Sequence, residues 1–217
     1  MFLYCWLILI SPLTGFIVLS WMGDRVSRQQ AAAIGCGTVG ISFLVTLIAL
    51  TELLLGEESS KGGVSTLYHW VTAGSFTLNL SILVDPLSVF MLLIVTGVGF
   101  VIHVYSVGYM EKDPEFNRFF SYLNFFIFSM ALLVLAADFF FLIVGWAMVG
   151  LASYLLIGFW KEKTSAVLAA RKAFVMNVIG DVGMVIAAFI IFENLGTLNF
   201  LDVFAAAKST FRPNDDT

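Results

Sequence analysis

FFSYLNFFIFSMALLVLAADFFFLIVGWAMVGLASYLLIGFW, residues 119–160, holds a single charge, Asp138, in more than 40 residues. A helix crosses the roughly 30 Å hydrocarbon core of a bilayer in about 20 apolar residues. The run is about twice that length, so the chain must reverse inside it. Ala137-Asp138, near the middle of the run, carries its only charge, and Asp is a preferred helix N-cap. The stretch therefore reads as two membrane helices in a tight antiparallel pair, with Asp138 capping the second.

The rest of the chain extends this pattern. Of its 217 residues, 60% are hydrophobic and 12% charged, with a mean hydropathy of +0.97 and 22 phenylalanines. Soluble domains carry about 25% charge, so this is an integral membrane protein. Six spans are predicted, at about 2–21, 31–54, 86–110, 117–136, 139–160 and 170–192. The first has no basic start and no Ala-x-Ala site, so it reads as a retained span and not a signal peptide; Pro12 near its middle predicts a kink. Asp85-Pro86 opens the third, an Asp cap with Pro at the first helical position.

Between the second and third spans the sequence changes period. Glu57 to Gly63 is polar and turn-like. Phe76, Leu78, Leu80 and Ile82 then alternate with Thr77, Asn79 and Ser81, a half-buried strand pattern. With Leu67–Val71 before it and Ala73-Gly74-Ser75 between, residues 64–84 are predicted to form a β-hairpin on the membrane surface. After the sixth span, Leu198–Ala207 is a short amphipathic piece leading into a polar end, Arg212 to Thr217.

Arg25, Arg28, Lys112, Arg118, Lys161, Lys163, Arg171 and Lys172 fall in the first, third and fifth loops; Lys61 alone falls in the second and none in the fourth. Positive loops face the cytoplasm. The N-terminus and the hairpin are therefore expected outside. There is no basic patch beyond the Lys161–Lys172 neighbourhood, so no nucleic-acid partner is expected. Cys5 and Cys36 lie in apolar spans without metal-ligand spacing and read as buried hydrophobes. No phosphate-cradling loop, catalytic triad, paired catalytic carboxylates or metal cluster is present, so the chain offers no redox or hydrolytic active site of its own.

Two ionisable residues sit where solvated charge is costly. Asp181 lies nine residues from Lys172 and twelve from Glu193, roughly 13 to 18 Å from either at 1.5 Å per residue. A carboxylate at that depth costs several kcal/mol unless it is paired, hydrated or protonated. Asn177, four residues earlier on the same helix face, is placed to bond it or hold a water. Gly180 and Gly183 thin the helix for close packing or water. A structural, protonated Asp is the alternative. His103, about 12 Å from the cytoplasmic end of the third span, titrates near neutrality in its ordinary state and suits a proton carrier. Its alternative is an interfacial histidine in an aromatic belt with Tyr105 and Tyr109. Glu52, near the outer end of the second span, reads as solvated.

Several motifs together resemble the L subunit of respiratory complex I. They are Asp85-Pro86-Leu87-Ser88, Gly97-Val98-Gly99, His103 through Met110, and Asp113 followed by Arg118 through Leu123. Ser153 through Trp160, and Lys172-Ala173-Phe174 with Asn177, Gly180 and Asp181, continue the match. The main subunits of multisubunit sodium/proton antiporters share the fold and are the nearest rival. The resemblance implies an all-α membrane protein forming the N-terminal portion of an antiporter-like subunit. Residues 1–110 would be flanking helices and hairpin, 111–192 the start of the translocating domain, and 193–217 an outer tail. It implies proton translocation coupled to quinone reduction, in a bacterial inner membrane, beside other membrane subunits of complex I. NADH, flavin (FMN), iron–sulfur clusters and quinone would be bound elsewhere in the complex and none by this chain.

The sequence departs from the family pattern. Where the fifth-helix motif usually reads Gly-Trp-Glu, this chain has Gly145-Trp146-Ala147. Where the sixth often reads Asn-Arg-x-Gly-Asp, it has Asn177-Val178-Ile179-Gly180-Asp181. An acid and a base are thus missing from adjacent helices, and losing both leaves no orphaned buried charge. The family's lysine belongs to a seventh helix beyond Thr217, so a partial subunit is expected. Alone it would serve as a membrane scaffold and not as a conductor.

Overall fold

A computed structural model describes residues 3–55, 62–73 and 76–210. Most of the predicted turn at 57–63, the 74–75 link of the hairpin and the polar end from 211 lie outside them. A 3-10 turn at Leu3–Cys5 leads into α1, Trp6–Met22. The elements that follow are α2 (Arg28–Leu55), β1 (Gly63–Ala73), β2 (Phe76–Val84), α3 (Pro86–Tyr109) and α4 (Phe116–Leu135), then α5 (Phe139–Ile157), α6 (Thr164–Leu195) and α7 (Phe200–Thr210). Among the described residues six helices are long and apolar enough to cross a membrane, at about the positions the hydropathy predicts.

The ends of these helices follow local chemistry. At α3, Asp85 accepts from Ser88 N at 2.7 Å, while the Ser88 hydroxyl receives Asp85 N at 2.8 Å, a reciprocal capping box ahead of Pro86. The α4–α5 reversal is as tight as predicted: α4 ends at Leu135, and Asp138 caps α5 by accepting from Phe141 N at 2.7 Å. α6 begins six residues before the predicted start, because Thr164–Ala169 are compatible with helix although too polar to count as span. It stops at Gly196, whose φ of 71° supplies the left-handed cap.

β1 and β2 pair antiparallel from Gly63↔Val84 to Ala73↔Phe76, confirming the hairpin, with irregularities at Thr66/Tyr68 and His69/Val71. Leu78, Ile82 and Val84 are buried. Ile82 bridges to Ala136, and Trp70 packs on the Phe140 and Phe141 rings, both at 6.0 Å. The start of α7 joins the same end: Phe139 N donates to Leu198 O, and Phe200 N to Ala137 O.

At the opposite end the first, third and fifth loops are knitted together. Asn117 donates to the Gly23 and Val26 carbonyls, each at 2.8 Å, and Arg28 to Glu111 O. Arg118 donates to Phe159 O at 3.0 Å, and Trp160 Nε1 to Asp113 at 3.0 Å. These loops sharing one end is the alternation expected from their basic residues.

α1 to α4 pack on one another, α5 packs on α4, and α6 on α5. Two apolar clusters close the bundle. One, at the hairpin end, joins Ile8, Leu9, Val45, Ala49, Ile82, Leu92, Ala131 and Leu135; the other, at the loop end, joins Leu19, Ala31, Met110, Phe116, Phe120 and Phe159.

Asp138 is 4% exposed. Burial pushes its carboxyl pKa above the ordinary range, partly offset by the backbone N–H groups of Phe141 and Phe140. A folded-state pKa above the unfolded one means the protonated form is favoured, so stability falls as pH rises past the usual carboxylate value. Asp138→Asn keeps the cap and removes that penalty. It is expected to unfold at or above the wild-type temperature at neutral pH, the two converging toward acid. Asp138→Ala should lose about 1 kcal/mol with the cap. Thermal unfolding in detergent at several pH values checks both; an Asn variant weaker than wild type at pH 7 would rule out the burial account.

Candidate functional site

Between the two apolar clusters lies a polar centre. Each of the four packed helices contributes to it: Gly15 on α1, Gly35 and Thr38 on α2, His103 on α3, Asn124 on α4. His103 and Asn124 are fully buried. His103 Nδ1 lies 2.7 Å from Gly99 O, one turn back, so that nitrogen carries the proton; Nε2 is 3.4 Å from Asn124 Nδ2. The amide of Asn124 also donates to Phe120 O at 3.0 Å, and its Oδ1 accepts from the Thr38 hydroxyl at 2.7 Å. The Phe120 ring meets the imidazole edge-on at 6.1 Å.

Room for this centre comes from missing side chains. A Cβ on Gly15 would lie 2.5 Å from Asn124 Oδ1 and 2.6 Å from Thr38 Oγ1; one on Gly35 would lie 2.6 Å from the Phe120 ring. Close approach of backbones through small residues is how membrane helices pack without a hydrophobic drive.

His103 is therefore not an interfacial residue. Tyr105 and Tyr109 are stacked on each other at 5.8 Å and stand exposed on the other side of α3. The buried face of α3 reads Ser88, Val89, Leu92, Thr96, Gly99, His103, Ser106. Asn124 and Thr38 escaped the sequence reading, because neither is charged and spacing within one helix does not show that they meet across α2 and α4.

Asp181 occupies a different place. α6 packs chiefly on α5, and Asp181 is not among the groups that contact His103. Asp181 is half-buried near the middle of α6, and its Oδ1 is buried with no hydrogen-bond partner. Asn177 does not bond it. Instead the Asn177 amide turns toward α5, where it lies against Gly150. Among the described residues nothing lies within 4 Å of a Cβ built on Gly180 or Gly183. Ala147 and Val178 are both exposed from the packed chain. Glu52, exposed, accepts from Tyr4 Oη at 2.6 Å. Among the described residues no group of three or more His, Cys, Asp or Glu could hold a metal ion.

Residues 70–120 match the family described as NADH-Ubiquinone oxidoreductase (complex I), chain 5 N-terminus, and residues 136–215 match NADH:quinone oxidoreductase/Mrp antiporter, TM. NADH-quinone oxidoreductase subunit L of Mycobacterium tuberculosis is 42% identical over 209 residues, 96% of this chain and 33% of that protein. The Escherichia coli subunit of the same name is 40% identical over 205 residues, 94% of this chain and 33% of that protein. The chain spans about one third of the curated relatives it matches. Among solved structures, an archaeal membrane-bound sulfane sulfur reductase superposes with a TM-score of 0.78 at 14% identity, over 95% of this chain and 40% of that one. The Mrp complex from Dietzia sp. gives 0.74 at 21%, over 95% and 22%; both likenesses concern the fold. The chain is a multi-pass membrane protein, and it belongs to the family of NADH-quinone oxidoreductase subunit L.

Proposed function

We propose that the chain contributes to proton translocation in the membrane arm of a NADH-quinone oxidoreductase, as part of an L-type subunit packed among other membrane subunits. The observation that carries this reading is Asp181: a carboxyl at mid-membrane depth on α6 with one oxygen buried and unpartnered. An acid so placed changes protonation when a charge nearby moves. His103, held by Asn124 on α3, is a second candidate; Asn177, turned toward α5, lines the interval between α5 and α6. Ala147 and Val178 leave that interval without the acid and base the family often carries there, so Asp181 works without them.

In this reading residues 1–110 flank the translocating part, which begins at 111–192. The loop end carrying Arg25, Arg28, Lys112, Arg118, Lys161 and Lys163 faces the cytoplasm of a bacterial cell, and the hairpin and N-terminus face outside. Electron transfer from NADH through flavin and iron–sulfur centres to quinone occurs in other subunits.

The test is Asp181→Asn in the full-length subunit within the assembled complex. Quinone reduction is expected to persist while proton pumping per electron falls. Unchanged pumping with normal assembly would sink the proposal. Sodium-driven proton exchange without coupling to NADH oxidation would instead assign the chain to the antiporter branch.

A further inference from the structure

A cavity of about 340 Å³ lies between α1 and α4 at the end where the loops gather, lined by Ser20, Gly23, Glu115, Asn117, Arg118 and Ser121 among others. Its lining mixes these polar groups with Leu19 and Tyr122. Two of its residues carry buried atoms without a partner, Asn117 Oδ1 and Arg118 Nε. Groups of this kind in a roomy polar cavity are satisfied by ordered water. The other bonds of these side chains are made. The Asn117 amide holds the Gly23 and Val26 carbonyls. The Arg118 guanidinium pairs with Glu115, donates to Phe159 O and lies 4.9 Å over the Phe159 ring. What is left over points to water and not to an anion, since the arginine charge is already matched.

The deep side of the cavity ends at Ser121, whose hydroxyl lies 2.6 Å from that of Ser20 and 3.3 Å from Phe16 O. Asn117, Ser121 and Asn124 follow one another at spacings of four and three, which places them on one face of α4. Asn124 is the residue against His103. The stripe therefore runs from the loops to the imidazole through hydroxyl and amide groups, on a helix whose other residues are mostly apolar.

We infer that the cavity between α1 and α4 is a water-filled vestibule, and that the Asn117–Ser121–Asn124 face of α4 extends it to the His103 imidazole. It admits solvent protons to His103 from the loop end, a use that rests on the translocation reading above. Against the imidazole lie the Gly99 carbonyl of α3 and the Phe120 ring and Asn124 amide of α4; among the described residues no charged side chain bonds to it. The route is independent of Asp181, which lies beyond α5.

Two measurements on the full-length protein in the assembled complex decide this, and neither reads pumping. Ser121→Cys and Ser129→Cys both place a thiol on buried positions of α4, the second far from the cavity. A membrane-impermeant methanethiosulfonate added from the loop side is expected to label Ser121→Cys and to leave Ser129→Cys unlabelled. Equal labelling rates at both positions overturn the vestibule. Deuterium exchange at the His103 ring carbon, followed by mass spectrometry, is expected to slow in Ser121→Leu, which fills the deep end. Should that variant not assemble, Ser20→Val narrows the same passage from α1. Exchange as fast as in wild type overturns the connection to His103. Loss of pumping in Asp181→Asn with both of these negative would leave the translocation reading standing and remove the vestibule alone.

Discussion

Gly145→Ala is expected to force α4 and α5 apart. The new Cβ would sit 2.7 Å from the backbone nitrogen of Leu133 and 2.8 Å from its Cα. Backbone cannot rotate aside as a side chain can, so one helix must move bodily. Overpacking typically costs about 1 to 3 kcal/mol, and a clash with backbone falls at the upper end, against a whole-protein stability of about 5 to 15 kcal/mol. Low yield, and a large fall in unfolding temperature in detergent, are the expected readouts. Gly37→Ala is the matched control. Nothing lies within 4 Å of a Cβ there, and alanine favours helix over glycine by up to about 1 kcal/mol. If the two variants melt alike, the close contact at Gly145 is not real.

Asn124→Ala is the second large effect. It removes one acceptor of the Thr38 hydroxyl, which keeps Ile34 O at 2.9 Å, together with the group facing His103 Nε2 and a buried side chain. His103 Nε2 left without a facing donor costs about 1 to 3 kcal/mol, and the cavity left by the buried side chain adds to it, so a loss of about 3 kcal/mol is expected. Thr38→Val alone should cost less, because Asn124 keeps its bond to Phe120 O. The double variant should fall short of the sum, since both changes break one bond. Additive effects in that cycle would show that the 2.7 Å contact carries no coupling. Binding or activity assays are not needed for this test; unfolding temperature and assembly suffice.

Architecture was legible because the bilayer imposes it. Span length follows from membrane thickness, and the 119–160 run could be nothing but a pair. The hairpin was legible because strand alternation needs only one buried face, and Leu78 and Ile82 supplied it. The interior was harder. In water a buried face is the apolar one; in lipid, both faces can be apolar, and the buried one is marked by small and weakly polar residues. Thr96, Gly99, His103 and Ser106 form such a row on α3, while Val98, Val101, Ile102 and Val104 face outward. That row was the signal that His103 is buried and not interfacial. The Asn117–Ser121–Asn124 row on α4 was available in the same way. Asp181 was recognisable by depth alone. The failure of Asn177 to reach it was not, because the glycine at position 150 draws the amide toward α5, a contact between helices that no spacing within α6 encodes.

The early start of α6 changes how depth along it is measured. Its 32 residues make a rod of about 48 Å at 1.5 Å per residue, well beyond a hydrocarbon slab of about 30 Å. Such a mismatch is absorbed by tilt or by letting one end stand in the aqueous phase. Thr164 to Ala170 is the end with the means to do so, and Arg171 and Lys172 are the side chains able to reach headgroup phosphates from there. The water boundary on this helix is therefore set by a pair of basic side chains roughly two turns inside it. Measured from that boundary, and from Glu193 at the other, Asp181 lies near the midplane of the bilayer, where the electric field of a charge is least screened from either surface.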